Sequence, residues 1–577
     1  MAETFDVVIV GSGVAGALVA AELAKLMRLK ILILEAADHP IDKPGEGAKS
    51  DHNNQRVEFH RVMNLDAMRG DMHAPFKKLA NRNLYPAPEN AGRTVGEQLG
   101  GAEKYYVPSG PEPFKAQYNR LVGGSTWSWR GNIPRFLPSD FQLKTLYGIA
   151  DDWPITYADI EPWYARAEEE LGAAGLDADW TDTALFGNRS QLYPMAPIPP
   201  SYGDTKLRQA IEGTVVDGVT AKVVHTPQAR NTRPYNGRPA CEGNHNCIPL
   251  CPIGAKYDAT VHLNAARAVK EWVALRTGCT VSQLVAGSSG RIETVRYRNW
   301  KQGPRDKDFE VTAKWVVLAA NAIETPMILL RSALANSSGT VGRNLMDHIQ
   351  EEVGAIFPVA VFPFRGPQST LSIETFRDGP WRNVRSGFRI TIGNDAWGRK
   401  PGAAPIDLAE TMMNDGLWGK DLITALADKV SRMVRLSFST EQLPDPGNRV
   451  ELSPKLDDLG LARPQISFTV DNYVHDALDY ARTVAERLFD SVGNGIEIDK
   501  AHAPGKPWNT AAHIMGTCRM GSDPTKSVVD SFGRSHDHPN LFLAGSSVFV
   551  TGSTANPTLT LAALALRTAD HIAIATR

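Results

Sequence analysis

The chain has 577 residues, of which 42% are hydrophobic and 22% charged, and its formal net charge is −2. This length exceeds the size at which one hydrophobic core stops growing, so we expect two domains or one heavily elaborated domain. The near-neutral charge excludes a basic field that would attract nucleic acid or anionic lipid. The sequence contains no run of about 18 apolar residues, so we predict no membrane span. No basic region precedes the first apolar run, so we predict no signal peptide on this chain.

The first 35 residues predict a strand, a glycine turn, a helix and a second strand. Gly11 permits the tight turn, Gly13 lets the backbone approach a pyrophosphate, and Gly16 lets the helix pack closely on the sheet. Glu35 ends the second strand, where a carboxylate accepts hydrogen bonds from ribose hydroxyls. The unit therefore predicts an FAD or NAD site, and Glu35 disfavours the 2'-phosphate of NADP.

The next segments have weaker patterns. Residues 41–114 are polar and lack periodicity, so we expect an insertion over the nucleotide site. Residues 118–129 bring a glycine pair into an aromatic segment, as in a loop that touches a flat cofactor. Strand-like alternation and helices over 348–504 predict a region that covers the substrate, and the apolar helix from about Thr558 to Ile572 predicts core.

Three of the five cysteines, Cys241, Cys247 and Cys251, fall in one glycine- and proline-punctuated segment. Three soft ligands without a fourth cysteine suit an iron–sulfur cluster that lacks one iron corner. Three alternatives stay open from the residues alone: a zinc site with His245 as fourth ligand, a disulfide with one free thiol, and inert buried thiols. The cluster interpretation favours FAD over NAD, because a flavin takes up a hydride and releases its electrons one at a time.

Six motifs occur in the order found in the glucose-methanol-choline family of flavin oxidoreductases, which the whole chain resembles. They are the N-terminal glycine unit and residues 123–127, 321–326, 342–348, 513–521 and 556–560. Within the family the chain looks most like the catalytic large subunit of bacterial FAD-dependent sugar dehydrogenases, of the glucose, fructose and glucoside 3-dehydrogenase type. The resemblance implies oxidation of a sugar or glycoside hydroxyl by hydride transfer to FAD. Rival predictions are an oxygen-using enzyme similar to pyranose oxidase and a non-catalytic, zinc-bearing flavoprotein scaffold.

The resemblance implies an α/β fold with a Rossmann-like FAD-binding domain and a discontinuous α+β substrate-binding domain. We predict the FAD-binding domain over 1–40, 115–135, 215–347 and 505–577, with an inserted iron–sulfur loop at 241–252. The substrate-binding domain and cover then comprise 41–114, 136–214 and 348–504. In this arrangement we expect His348 to anchor the two domains to each other.

The family pattern also places the chemistry. His513 matches the family's catalytic base, and Asn556 matches a position that holds the substrate hydroxyl and developing alkoxide. Ser128 stands where some relatives attach FAD through a histidine, so we expect noncovalent FAD. Further expected cofactor contacts, besides Gly11, Gly13, Gly16 and Glu35, are Gly123, Gly124, Ser125, Asn132, Gly545, Pro557 and Thr558.

Finally, the resemblance implies partners. Relatives bind a 3Fe-4S cluster through cysteines spaced like Cys241, Cys247 and Cys251, which favours that cluster over zinc. Their large subunits travel with a small subunit that bears a twin-arginine signal, and often with a cytochrome c as electron acceptor. We therefore expect a periplasmic location reached by co-export, with a cytoplasmic location as the alternative.

Overall fold

The computed structural model describes residues 2–37, 105–245, 247–248, 251–268, 271–302, 304, 306–397, 405–457, 459–499 and 508–577. The predicted insertion at 41–114 lies outside the described residues except for 105–114. Residues 246, 249 and 250 of the predicted iron–sulfur loop also lie outside them.

The strands of the described residues are β1 Glu3–Val10, β2 Ile31–Leu34, β3 Val107–Pro108, β4 Val215–Val216, β5 Val219–Thr220, β6 Val223–His225, β7 Val273–Arg276, β8 Cys279–Ala286, β9 Ile292–Asn299, β10 Asp308–Leu318, β11 Ile349–Ile356, β12 Leu371–Ile373, β13 Phe388–Gly393, β14 Met433–Thr440, β15 Arg449–Leu456, β16 Ala462–Ser467, β17 Glu497–Ile498, β18 Asn509–Thr510 and β19 Leu541–Leu543.

The α-helices of the described residues are α1 Val14–Leu26, α2 Leu143–Tyr147, α3 Tyr157–Leu171, α4 Thr183–Phe186, α5 Tyr202–Ile211, α6 Thr260–Arg267, α7 Asn321–Ser332, α8 Pro405–Asn414, α9 Gly419–Arg432, α10 Asn472–Asp490 and α11 Thr558–Thr576.

The predicted strand–turn–helix–strand unit is β1–α1–β2, and it lies at the centre of the first sheet. Parallel strands run in the order β7-β2-β1-β10-β19, and the β8–β9 hairpin extends the sheet along the first half of β10. Val10 is level with Leu34 and Leu318, and Leu318 is level with Leu543. Because these strands are parallel, their carboxyl ends form one edge, where ligands of open α/β sheets bind.

Helices complete the first core. α1 packs against α6 and α11, and α11 also packs against α3. By length and composition, α11 is the one helix of the described residues that is long and apolar enough to cross a membrane. In the fold most of its side chains are buried in this core.

The second sheet is antiparallel, with the order β17-β11-β14-β13-β12-β6, and β18 pairs with the start of β11 on the side where β17 pairs with its end. Apolar and polar residues alternate along its strands, because successive side chains point to opposite faces of the sheet. Apolar residues such as Val353, Ile390 and Leu436 join the side chains of α10 in a second core. The intervening residues are polar and face the other way. A third, small sheet pairs β15 with β16 and adds β3 parallel to β16.

The mixed α/β architecture with a Rossmann-like unit is as predicted, but packing crosses the predicted domain limits at two places. β6 falls in the range 215–347, yet it pairs with β12 in the antiparallel sheet. α3 falls in the range 136–214, yet its buried face packs on α11 in the first core. Burial of apolar faces decides these assignments, and the domain limits themselves remain a prediction.

Candidate active site

One cavity of about 760 Å³ opens at the carboxyl edge of the first sheet. Gly11 and Glu35, which directly follow β1 and β2, line it on one side. Arg389 of β13 and Ser437 of β14 line it on the other. The cavity therefore joins the predicted nucleotide unit to the polar face of the antiparallel sheet.

The three glycines of the predicted unit each meet a different constraint. Gly11 has a φ of +98°, in the left-handed region that favours glycine. A Cβ on Gly16 would lie 2.0 Å from the carbonyl oxygen of Gly11, so only glycine allows the helix to start so close to the turn. A Cβ on Gly13 would meet nothing within 4 Å, because this backbone faces the cavity. This is the cradle that a pyrophosphate at a helix N-terminus requires.

Glu35 is buried at the end of β2 and is held from two sides. One carboxylate oxygen accepts from the backbone N–H and the hydroxyl of Ser12, at 2.9 and 2.6 Å. The other accepts from the N–H of Ala37 at 2.9 Å. Burial raises the pKa of Glu35, and these hydrogen bonds oppose the rise. Its contact with a ribose stays a prediction, but its carboxylate is fixed at the cavity wall.

The other predicted cofactor contacts converge on the same space, with one difference. Those that line the cavity are Gly124, Ser125, Asn132, Gly545, Pro557 and Thr558. Gly123 lies behind this wall, where its N–H donates to the Ser12 hydroxyl at 3.2 Å. The loop of residues 123–127 is thereby tied to the glycine turn.

His513 and Asn556 lie side by side in the cavity. Nδ2 of Asn556 is 3.2 Å from Nε2 of His513, and both residues line the cavity wall. Oδ1 of Asn556 accepts from the Arg389 guanidinium at 3.0 Å, and Arg389 also donates to buried Glu374 at 2.6 Å. The pair predicted from the sequence is therefore assembled, and a buried ion pair orients its amide.

His348 contacts the other side of His513. The two Nδ1 atoms are 2.8 Å apart, and Nε2 of His348 lies 3.1 Å from the carbonyl oxygen of Gly552. Oδ1 of Asp347 accepts from the backbone N–H of His348 at 2.7 Å and of His513 at 2.8 Å. The expectation that His348 anchors the two domains stays a prediction, and the structure adds its direct contact with His513. The pairing of Met346 with Met515 brings its segment alongside that of His513.

Burial sets the charge state of these groups. It lowers the pKa of His513 well below its usual value, and His348 and Arg389 lower it further. It lowers the pKa of His348 to about 4, and raises that of the Asp347 carboxyl to about 6. Both imidazoles are thus neutral near pH 7, which is the form that accepts a proton.

Comparison with known proteins identifies the family. GMC oxidoreductase profiles match residues 211–350 and 444–565, and a profile of NAD(P)-binding Rossmann-like domains matches residues 9–44. The chain is 33% identical to the fructose dehydrogenase large subunit of Gluconobacter japonicus, over 98% of this chain and 97% of that one. The chain belongs to the GMC oxidoreductase family.

Two further comparisons concern a second relative and the fold. The chain is 32% identical to 6'''-hydroxyparomomycin C oxidase of Streptomyces lividus, over 78% of each chain. The solved structure of pyridoxine 4-oxidase from Mesorbium loti shares the fold, with a TM-score of 0.60 and 19% identity over 98% of both chains. The resemblance noted from the motifs is confirmed, and the chain is an FAD-dependent oxidoreductase acting on CH–OH groups.

The three cysteines of this GMC chain lie behind the cavity wall, although Ile248, next to Cys247, lines it. All five cysteines are free thiols, so the structure lacks the disulfide that one alternative required. Burial raises the pKa of Cys241, and Cys247 and Cys251 are near enough to contribute to that rise. Within the described ranges, no three His, Cys, Asp or Glu side chains are placed to hold a metal ion. Both the 3Fe-4S cluster and the zinc alternative stay predictions.

Two buried cations lie against the cysteine segment. The Arg230 guanidinium donates to Sγ of Cys247 at 3.2 Å, and its Nε has no partner in the described part of the chain. Nζ of Lys256 donates to the carbonyl oxygens of Trp127, Trp129 and Cys247 at 2.8, 2.6 and 2.7 Å. Because Trp129 lines the cavity, Lys256 links the cavity loop directly to the cysteine segment.

Sequence reasoning missed four residues of these two sites: His348, Arg389, Arg230 and Lys256. A signal existed for His348, which directly follows Asp347 in a family motif, and for Arg389, which alternates with the apolar residues of β13. Arg230 and Lys256 gave none, because arginine and lysine are rarely buried and the sequence does not show when they are.

Proposed function

We propose that this chain is a dehydrogenase that uses FAD to oxidise one hydroxyl of a sugar or glycoside, of the glucose 1- or glucoside 3-dehydrogenase type. The observation that carries the proposal is the His513–Asn556 pair, which shares one cavity with the glycine turn and with a polar sheet face. Similarity to a fructose dehydrogenase large subunit supports the sugar class.

The polar sheet face suits a substrate with many hydroxyls. One cross-strand row is Gln350, Ser439 and Arg389, and the next is Glu352, Ser437 and Thr391. All six residues line the cavity. Sugar hydroxyls need hydrogen-bond donors and acceptors in a concave site, and this sheet face supplies both. The first row contains Arg389, which contacts Asn556, so the second row can meet hydroxyls away from the reacting carbon.

The proposed chemistry assigns one task to each side chain. Neutral His513 takes the hydroxyl proton on Nε2, the atom that faces Asn556 and the cavity. The Asn556 amide donates to the oxygen as negative charge develops on it, and Arg389 keeps that amide oriented. FAD, when bound, supplies the hydride acceptor.

The proposal includes noncovalent FAD. Ser128 lines the cavity and its hydroxyl accepts a hydrogen bond from the Asn119 amide, and a serine cannot form the histidyl link. Acid precipitation should therefore release the flavin into the supernatant. Flavin that remains with the precipitated protein would contradict this part of the proposal.

The proposal also includes a 3Fe-4S cluster held by Cys241, Cys247 and Cys251. The donor chemistry supports it, because Cys247 and Cys251 are near enough to Cys241 to raise its pKa, none of the three is in a disulfide, and Arg230 donates a hydrogen bond to the sulfur of Cys247. A cluster held there would supply a one-electron exit from the flavin to a cytochrome or another acceptor.

Partners and location complete the proposal. The relative from Gluconobacter is named a large subunit, which supports a complex with a smaller subunit. We expect that subunit to carry a twin-arginine signal, a cytochrome c to accept electrons, and the complex to be periplasmic. Affinity purification of the tagged chain from its native cells should recover both partners from the periplasmic fraction. Recovery of the chain alone from the cytoplasm would contradict this.

The central experiment is anaerobic mixing of the purified holoenzyme with a panel of sugars, glycosides and simple alcohols. Sugars or glycosides should bleach the flavin rapidly, and NMR of the product should identify the oxidised carbon. A protein whose flavin responds only to simple alcohols contradicts the sugar class. A protein whose flavin responds to none of the compounds supports the scaffold alternative, especially if it contains zinc.

An oxidase is the second candidate. The similarity to the enzyme named 6'''-hydroxyparomomycin C oxidase favours it. Turnover in air separates the two. A dehydrogenase reduces an artificial dye much faster than it forms hydrogen peroxide, and an oxidase forms peroxide in step with sugar consumption.

A further inference from the structure

We infer that His348 is a positioning residue that fixes the proton of His513 on Nδ1 and leaves Nε2 as the proton acceptor toward the substrate. This inference deepens the proposed function, because it rests on His513 as the base. It follows from the direction of each bond in a series of hydrogen bonds. This hydrogen-bond chain runs from Arg389 through Asn556, His513 and His348 to Gly552.

The hydrogen-bond chain begins at Arg389 with a group that only donates. The Arg389 guanidinium donates to Oδ1 of Asn556 at 3.0 Å, because a guanidinium has no acceptor. This contact fixes the amide, so its NH₂ group faces Nε2 of His513 at 3.2 Å. Nε2 must then accept, and the proton of a neutral His513 lies on Nδ1.

The hydrogen-bond chain ends at Gly552 with a carbonyl group that only accepts. The Gly552 carbonyl oxygen lies 3.1 Å from Nε2 of His348, which therefore carries the proton. In a neutral His348, Nδ1 is then an acceptor, and it lies 2.8 Å from Nδ1 of His513. The two ends of the chain independently assign the same tautomer of His513.

The surroundings preserve this arrangement. Oδ1 of Asp347 accepts hydrogen bonds from the backbone N–H groups of both histidines. The two backbones are therefore fixed relative to each other beside the contact of the rings. Arg389 lowers the pKa of His513, while Arg377 and Asp140 act on His348 in opposite directions. Burial lowers the pKa of both rings, so each imidazole is neutral and carries one proton at neutral pH.

The test uses two substitutions of His348 in the FAD-loaded enzyme. His348→Leu keeps much of the volume but removes the acceptor, whereas His348→Asn can present its amide oxygen to the proton on Nδ1 of His513. At saturating sugar, His348→Leu should slow anaerobic flavin reduction by at least about tenfold, a part of the loss expected when a general base is removed. The half-saturating sugar concentration should change little, and His348→Asn should recover most of the rate.

A matched control is available in His538, a second buried histidine. Its Nδ1 lies 2.7 Å from the Gly290 carbonyl oxygen and its Nε2 accepts from the Ala335 N–H. Like His348, it donates to a carbonyl oxygen through one ring nitrogen and accepts through the other, but with the two nitrogens exchanged and away from the cavity. His538→Leu and His538→Asn should leave the reduction rate of the FAD-loaded enzyme unchanged.

Nitrogen-15 NMR of the histidine-labelled wild type reads the tautomer directly and does not depend on the folding of any variant. The His513 signals, identified by their loss in His513→Asn, should show a protonated Nδ1 and an unprotonated Nε2. The opposite tautomer overturns the inference, as does a wild-type rate in His348→Leu or an equal loss of rate in both His348 variants with full FAD content. If sugars do not bleach the flavin, the proposed function fails, but the NMR result still decides the tautomer.

Discussion

The cavity around His513 and the segment around Cys247 are built in opposite ways. In the cavity, polar side chains satisfy one another, since Asn556, His513 and His348 form a chain with fixed donors and acceptors. In the cysteine segment, buried Arg230 donates to the thiol of Cys247 and buried Lys256 donates to its carbonyl oxygen, and the Nε atom of Arg230 lacks a partner in the described part of the chain. The first site is organised by its own hydrogen bonds. The second has positive groups that suit an anionic ligand.

This difference implies that the two sites can be damaged separately. Lys256 joins the segment of Cys247 to the loop beside the cavity, but no residue of the His513 chain depends on the cysteines. A variant in one site should therefore leave the chemistry of the other measurable. The first two predictions below test that separation, and the third tests the charge state of the His513 site.

The largest effect is expected for Cys247→Ser. Loss of a thiolate ligand should remove iron and abolish electron transfer to a cytochrome or an electrode, whereas sugar should still bleach the flavin at nearly the wild-type rate. The measurements are iron content, anaerobic bleaching and acceptor reduction. Cys518→Ser, in another buried free cysteine, is the matched control and should keep its iron. Zinc in place of iron in anaerobically prepared wild type, or full acceptor reduction after iron loss, would refute the proposed exit route.

The second effect is expected for His513→Ala. Without the general base, flavin reduction by sugar should slow by about a hundredfold or more, while FAD and iron contents stay at wild-type levels. Stopped-flow absorbance gives the rate, and the two cofactor assays show whether the cysteine segment is unaffected. A near-normal rate would place the base elsewhere, and loss of iron would show that the sites are coupled.

The smallest effect concerns stability in acid. The unfolded chain protonates His348 near pH 6.5, but the folded chain does so only near pH 4. Stability is therefore lost as pH falls from 6.5 to 4, by up to about 3 kcal/mol for this group alone. The raised pKa of Asp347 works in the opposite sense as pH falls below about 6, so the net change is smaller. The melting temperature of His348→Asn should fall less than that of the wild type over this range. Parallel pH curves for the two proteins would contradict the assignment.

Several features could be predicted from local sequence because neighbouring residues carry them. The spacing of Gly11, Gly13 and Gly16 requires a turn, a close backbone approach and tight helix packing, and the structure shows all three constraints. The predicted helix begins at Val14, directly after Gly13. The strand-like alternation predicted within 348–504 is present in β13, where Arg389 lies between Phe388 and Ile390.

The partners of His513 could not be predicted in this way. His348 is 165 residues away in the sequence, and the contact of Arg389 with Asn556 spans 167 residues. Such pairs meet only because the strands and loops of two sheets converge on one cavity.

The sequence by itself determined the nucleotide unit, the clustering of three cysteines and the family motifs that contain His513 and Asn556. Only the tertiary structure decided that His348 contacts His513 and that Arg230 and Lys256 are buried against Cys247. It also paired β6 with β12 of the antiparallel sheet and packed α3 on α11 in the first core. The physical reason is the same in each case: burial and hydrogen-bond direction depend on packing between segments distant in the chain, which local residue patterns do not encode.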